Sequence, residues 1–300
     1  YTTLYFGLTD ISLPSTLETI GNDNGFPEIY SNEFLPAMQL GQPFTGFLWP
    51  NGCNLREIAH YAVVTNGSQD FTVPASVEDY GSLGLYAMYG ANINAAPADG
   101  RYLSIDGWLF ERVGEGELRL VQIPHGAPSA NGTLVFPDTG DDVIVSIGDH
   151  AAYGLLGNFQ DLAGVQSIVF PEGLRTIEAN AFYNCGQLTS VEFPASLEYI
   201  GDTAFGLTPL LTDITFNGIL PPGLGDDVFG FPQRVPLMSA TIHIPNGSYD
   251  YWFDVLYEYG TALGRGYGDN YFLKLEGPSV TYRFHTDAEA LAVADIAGSC

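Results

Sequence analysis

The chain has 300 residues, 35 acidic against 9 basic side chains and a net charge of −26 at pH 7. Nucleic acid and anionic membrane surfaces are poor partners for such a chain, because binding them draws on Lys and Arg. Cations, basic proteins and neutral glycans remain open, and the acidity itself keeps an extended surface soluble. No apolar run reaches the roughly 18 residues of a membrane-spanning helix. No leader segment is visible, and the opening residue, Tyr1 rather than Met, suits a processed secreted protein.

In chain order, the first patterned phrase is Leu8-Thr-Asp-Ile-Ser-Leu-Pro14, followed by Ser15-Thr-Leu-Glu-Thr-Ile-Gly21. Apolar and polar residues alternate as in a strand with one buried face. Pro14 lacks an N–H and ends it. Residues 22–43, rich in Asn, Gly and Pro, read as an insertion. The order apolar, any residue, apolar, Pro ends further strands at Pro50, Pro74, Pro124, Pro137, Pro171, Pro194 and Pro245, with Asn217 standing in for Pro once. A second insertion covers about 86–118. Within 100–124, Asp106-Gly-Trp-Leu-Phe110 and Leu118-Arg-Leu-Val-Gln-Ile-Pro124 flank a Gly-rich turn and predict a hairpin.

The phrase then returns at a fixed step. Val165-Gln-Ser-Ile-Val-Phe-Pro171, Leu188-Thr-Ser-Val-Glu-Phe-Pro194 and Leu211-Thr-Asp-Ile-Thr-Phe-Asn217 start 23 residues apart. A period of this size is the signature of a solenoid, in which stacking buries a column that no single coil could bury alone. Val191 is expected over Ile168 and under Ile214. The expected core is Ile168, Phe170, Leu174, Ile177, Phe182, Leu188, Val191, Phe193, Leu197, Ile200, Phe205, Ile214 and Phe216. The looser spacing of Leu197, Ile200 and Ala204-Phe205 predicts a short helical or irregular arc after each strand. Thr241-Ile-His-Ile-Pro245 is the last recognisable coil, and Tyr249, Tyr251 and Trp252 follow it as a cover, with Tyr257 and Tyr259 beyond. Residues 268–300 contain two possible strands, 272–275 and 280–284, and read as a C-terminal cap or the start of a further module.

Ile168-Val-Phe-Pro-Glu-Gly-Leu-Arg-Thr-Ile177, Ala181-Phe182-Tyr-Asn-Cys185 and Leu188 resemble the BspA-like leucine-rich repeat family of bacterial cell-surface proteins. So do Val191-Glu-Phe-Pro-Ala-Ser-Leu-Glu-Tyr-Ile-Gly201 and Ala204-Phe205. The resemblance implies an α/β repeat: a leucine-rich-repeat solenoid over 1–267 with parallel strands on the concave face, short helical or irregular convex arcs and large insertions. It also implies that Cys53 and Cys185 are small buried thiols between coils, and that a short helix bears the aromatics of the terminal coil. The function it implies is a secreted or cell-surface binding protein rather than an enzyme, with no cofactor. Such a protein would adhere to or engage an extracellular protein or glycan; lipid anchoring through a segment outside this sequence is one mode of attachment. A carbohydrate-binding accessory module of a glycan-uptake system is the alternative.

Chemistry-bearing motifs are few. Asp138-Thr-Gly-Asp-Asp142 holds one Asp-Thr-Gly triplet, whereas aspartic proteases need two so that paired carboxylates share a proton. The segment reads as an acidic turn, with weak Ca²⁺ binding by Asp138, Asp141 and Asp142 as a lesser possibility that lacks EF-hand spacing. His60, His125, His150, His243 and His285 form no HExxH, and no Gly-x-Ser-x-Gly elbow accompanies them. Three cysteines with no CxxC argue against a metal site or disulfide framework. Asn66-Gly-Ser68, Asn131-Gly-Thr133 and Asn246-Gly-Ser248 match glycosylation sequons but are also plain Asn-Gly turns.

The candidate binding surface is the outward side of the strands. Aligning coils on the Pro position gives one outward row of Ser12, Val169, Glu192, Thr215 and His243. A second row is Asp10, Ser167, Ser190, Asp213 and Thr241. Adjacent strands about 4.8 Å apart would make these rows a flat, wettable sheet.

Overall fold

The structure is a computed structural model that describes residues 10–12, 14–20, 29–30, 46–48, 53–60, 62–65, 70–82, 84–87, 93–95, 100–124, 129–152, 165–229, 240–245, 248, 251–252, 273–277 and 280–284. His125, His285, Cys300, Asn66, Asn246, Tyr249, Tyr257 and Tyr259 lie outside the described residues.

Alternation builds the strands. In Ser190–Phe193 the side chains run half-buried, buried, half-buried, buried, so Val191 and Phe193 face the core. Parallel pairing sets Ser167 against Ser190, Ile168 against Val191 and Val169 against Glu192. The next step sets Ser190 against Asp213, Val191 against Ile214 and Phe193 against Phe216. Each step of 23 residues therefore lays like on like. The resulting eight-stranded sheet runs in the order Ser129–Ala130, Thr133–Leu134, Ser167–Val169, Ser190–Phe193, Asp213–Phe216, Ala240–His243, Leu273–Gly277, Val280–Phe284. Only the first and last pairs in that order are antiparallel.

The second half of each coil corrects the expectation of helical arcs. It contributes a second short strand instead, and these strands form a seven-stranded sheet. Its order is Tyr102–Ile105, Trp108–Gly114, Glu117–Gln122, Val143–Ile147, Thr176–Ile177, Tyr199–Ile200, Gly223–Leu224. After each of the last four strands comes a residue with positive φ: His150 (55°), Asn180 (55°), Thr203 (49°) and Asp227 (49°). A left-handed residue at this place in each coil stops a right-handed helix from propagating. Among the described residues only Tyr251 and Trp252 are helical.

Every expected core residue of the 165–216 run is buried. The phenylalanines form two columns. Phe170, Phe193 and Phe216 stack at 5.2 and 4.8 Å between centroids. Phe182, Phe205 and Phe229 stack at 5.2 and 5.4 Å. The columns meet edge to face, as between Phe193 and Phe205 at 5.6 Å, an arrangement that adds to simple area burial. Trp252 closes one end against Phe216 at 4.6 Å and is buried, whereas Tyr251 is exposed. Trp108 approaches the other end through Phe136 at 5.4 Å.

The predicted hairpin is present, with Trp108–Gly114 antiparallel to Glu117–Gln122. It works as a partition. Trp108, Phe110, Leu118 and Leu120 belong to the core that runs on to Trp252. Leu109 and Val121 belong to a separate core with Leu55, Ile58, Val73 and Leu85. Strands buried on both faces read as continuous apolar runs, as Trp108-Leu109-Phe110 does. Just before the partition, Ile93–Ala95 pairs in parallel with Phe71–Val73. The two strands Leu273–Gly277 and Val280–Phe284 extend the eight-stranded sheet beyond Ala240–His243.

Candidate functional site

The outward rows exist where the strands continue in register. Thr133, Ser167, Ser190, Asp213, Thr241 and Lys274 hold successive positions of one row. Val169, Glu192, Thr215, His243 and Glu276 hold the other. Asp10 and Ser12 do not belong to it. Asp10–Ser12 pairs with Gly46–Leu48 in a separate two-stranded sheet, so their outward positions cannot continue the rows. The long stretch between these coils and the regular run breaks the register that the shared phrase suggested.

The face changes chemistry along its length. At one end Val135 and Val169 are 41 % and 48 % exposed. Val169 is expected from the sequence as an outward position, whereas Val135 is in neither expected row. The signal was present, since Val135 follows Thr133-Leu134 as Val169 follows Ser167-Ile168. In the neighbouring row of the same two coils stand hydroxyls, with Thr133 Oγ1 and Ser167 Oγ 2.7 Å apart. Acids follow. Glu192 Oε1 accepts from Asn217 Nδ2 at 3.0 Å, and Asp213 Oδ2 accepts from the Thr212 hydroxyl at 2.9 Å. His243 Nε2 lies 3.6 Å from Asp213 Oδ1. Among the described residues the ion-paired arginines are committed elsewhere. Arg56 pairs with Glu78, Arg101 with Glu111, Arg119 with Glu111 and Glu178, and Arg175 with Glu117.

The Asp138–Asp142 segment is a turn. Asp138 Oδ1 accepts the Gly140 N–H at 2.9 Å, Thr139 Oγ1 donates to the Asp142 carbonyl at 2.5 Å, and Gly140 has φ of +67°. Among the described residues no three His, Cys, Asp or Glu side chains are grouped to hold a metal ion. Asn131 sits exposed at φ of 53° in the turn between Ser129–Ala130 and Thr133–Leu134. Cys185 is fully buried, and burial pushes its thiol well above the ordinary range. Cys53 is half-buried.

A polar cluster that spacing gave no hint of lies where the partition meets the coils. Ser82 Oγ donates to Asp149 Oδ2 at 2.7 Å, and Asn180 Nδ2 donates to Asp149 Oδ1 at 3.3 Å. Thr203 Oγ1 donates to Asn180 Oδ1 at 2.6 Å. The Asp149 N–H donates to Glu178 Oε2 at 3.0 Å, and Arg119 grips Glu178 through Nε and Nη2 at 2.6 and 2.7 Å. His60 and His150 meet edge on at 5.8 Å. Burial pushes the carboxyls of Asp149 and Glu178 up. The contacts of Asp149 with His150, Ser82 and Asn180 outweigh it, as Arg119 does for Glu178, so both stay below the ordinary carboxylate range. Burial, then His150, lowers the His60 imidazole. Nearby, Tyr80 and Gln122 tie the two cores: Tyr80 OH donates to Gln122 Oε1 at 3.1 Å, and Gln122 Nε2 donates to the Leu85 carbonyl at 3.2 Å. Burial drives the Tyr102 phenol up to about 12, and that hydroxyl accepts the Tyr80 N–H at 2.9 Å.

Two sheets whose strands run parallel through the repeat, with phenylalanine columns between them, define a leucine-rich-repeat type of solenoid. Residues 156–229 match the family described as a BspA type Leucine rich repeat region (6 copies). The chain is similar to the pneumococcal vaccine antigen PcpA at 18 % identity and a TM-score of 0.50, over 79 % of this chain and 56 % of that one. This likeness shows the fold. A leucine-rich repeat protein from Eubacterium ventriosum aligns at 15 % identity and a TM-score of 0.42, over 80 % of this chain and 61 % of that one. A leucine rich cell surface protein from Faecalibacterium prausnitzii aligns at 17 % identity and a TM-score of 0.40, over 95 % and 62 % of the two chains. The chain thus spans under two thirds of the length of each of these three. No curated protein matches it in sequence. Among the described residues no helix is long and apolar enough to cross a membrane.

Proposed function

We propose that the chain is a non-enzymatic binding protein, secreted or displayed on a bacterial cell surface, that holds an extracellular protein against the outward side of its eight-stranded sheet. The observation that carries this reading is the register of that face. Ser167, Ser190 and Asp213 stand at successive positions of one row, and Val169, Glu192 and Thr215 of the next. An array in which valines and hydroxyls share one end and carboxylates follow in the next coils suits a partner with an apolar patch beside a basic one, since complementary charge sets orientation and encounter rate. That PcpA is a vaccine antigen accords with display outside the cell.

The test is binding of the purified chain to immobilised extracellular-matrix proteins and to a glycan array, in Ca²⁺ and in chelator. Saturable protein binding that weakens about tenfold or more in Glu192→Ala/Asp213→Ala supports the reading, as expected for loss of charges central to an interface. Protein binding indifferent to both changes moves the site off this face. Saturable glycan binding instead favours the accessory-module alternative.

A further inference from the structure

We propose that the corner from Asn217 to Leu220, where the chain passes from the eight-stranded to the seven-stranded sheet, is an apolar docking knuckle for an amphipathic basic segment of a partner protein. At this place in the preceding coils a leucine enters the core. Leu174 and Leu197 are buried, and their N–H groups close a turn on the carbonyls of Pro171 and Pro194. The same 23-residue step lands on Leu220. Yet Leu220 is 64 % exposed and Ile219 beside it 59 %, more than any other large apolar side chain among the described residues.

The cause is one added residue. Phe216 pairs with Phe193, and Gly223 pairs with Tyr199. One more residue separates Phe216 from Gly223 than separates Phe193 from Tyr199. Both strands keep their register, so the corner takes up the surplus. Asn217 and Gly218 stand there in place of Pro194 and Ala195. The chain folds back tightly at Gly218, where a Cβ would stand 3.1 Å from the Leu220 carbonyl oxygen and 3.5 Å from that of Ala195. Pro221 and Pro222 follow, each with its φ fixed by the ring, and Pro222 is buried. The corner is therefore a shaped projection that holds two aliphatic side chains next to each other in water.

The chemistry around the corner selects what covers it. Asn217 Nδ2 donates to Glu192 Oε1 at 3.0 Å, which ties the corner to the acidic part of the outward face. Residues 176–233 carry seven carboxylates and no Lys, Arg or His. A wholly apolar partner would desolvate Glu192 with no counter-charge, which is costly. A wholly basic one would leave Ile219 and Leu220 in water. A segment with an aliphatic stripe flanked by Lys or Arg meets both demands. The inference deepens the binding function proposed above and rests on that reading for the part played by Glu192.

The full chain is titrated at about 0.15 M salt, where unspecific attraction to its acidic surface is screened. One probe is a synthetic amphipathic peptide of Leu and Lys, and the other is its companion with Ser in place of every Leu. The Leu/Lys peptide should bind saturably, and about tenfold or more tighter than its companion. Ile219→Ser/Leu220→Ser should remove about tenfold or more of that affinity. Glu192→Gln should weaken both peptides, and Val113→Ser, at a 46 % exposed site on the hairpin, neither. In guanidinium, Leu220→Ser should unfold as wild type does, and Leu197→Ser at a clearly lower concentration. Unsaturable binding would overturn the inference, as would an equal loss in Val113→Ser or destabilisation of Leu220→Ser to the level of Leu197→Ser. Matrix-protein binding that needs Glu192 and Asp213, with a peptide indifferent to Ile219 and Leu220, keeps the proposed face and removes the corner. Peptide binding that passes every control, with no matrix protein bound, supports the corner and removes the face.

Discussion

The rings of Phe182 and Phe205 lie 5.2 Å apart with their planes 6° from parallel, one coil above the other. Phe205 also touches Phe170, Phe193 and Phe229. It is therefore shared by two columns and three coils. Phe205→Ala should cost about 3–5 kcal/mol, at the upper end for a core truncation because the rings around it are held by their own coils and cannot collapse into the gap. Guanidinium unfolding of the variant measures it. Cooperativity should fall as well, since each coil leans on its neighbours.

Gly201 packs directly against the previous coil. A Cβ there would stand 2.5 Å from the Ala179 nitrogen and 2.8 Å from the Glu178 carbonyl carbon, both backbone atoms. Gly201→Ala should force the coils apart and cost about 1–3 kcal/mol by the same denaturation measurement. Gly140→Ala meets nothing within 4 Å but sits at φ of +67°, and should cost about 1–2 kcal/mol through backbone strain alone. Gly140→Asn should recover part of that loss, which a steric clash would not allow.

Asp149 and Glu178 are held below the ordinary carboxylate range in the folded protein. Their stabilising contribution is complete above the unfolded carboxylate value and is lost as the pH falls through their lowered folded values. The unfolding midpoint should accordingly drop most steeply below about pH 4. Glu178→Gln should flatten that part of the profile and cost about 1.5–3 kcal/mol at neutral pH, because Arg119 loses its bidentate partner. A profile unchanged by this substitution would place the acid sensitivity elsewhere.

Cys185 is buried, with its thiol held protonated by that burial. A thiol reagent with mass mapping should leave Cys185 unmodified in the folded protein and label it fully in denaturant. Labelling of Cys185 at the rate of the half-buried Cys53 would contradict its place between coils.

The first strand of each regular coil was legible because three copies of one phrase set the period, the inward positions and the register at once. Val191 between Ile168 and Ile214 follows from spacing alone. The second sheet was not legible. Thr176–Ile177 and Tyr199–Ile200 are two residues long, too short for alternation to show, and the gap between Leu197 and Ile200 mimics a helical turn. The outward face was half legible. Ser167, Ser190 and Asp213 were placed by the repeat, but Asp10 and Ser12 shared the phrase without sharing the sheet. The His60–Ser82–Asp149 cluster left no trace in the period. Its members come from coils separated by the hairpin, and sequence pattern records what repeats within a stack rather than what meets at its end.

The like-on-like register has one more consequence. Because Ser190 sits on Ser167 and Asp213 on Ser190, the exposed face behaves as a ruler whose length is set by copy number. One more 23-residue unit between Phe193 and Leu211 would lengthen the ruler by about 4.8 Å and add two outward side chains, leaving the partition and the Trp252 end untouched. Reach and valency can thus be changed by duplicating or deleting a single stretch of gene, without redesigning any contact in the core.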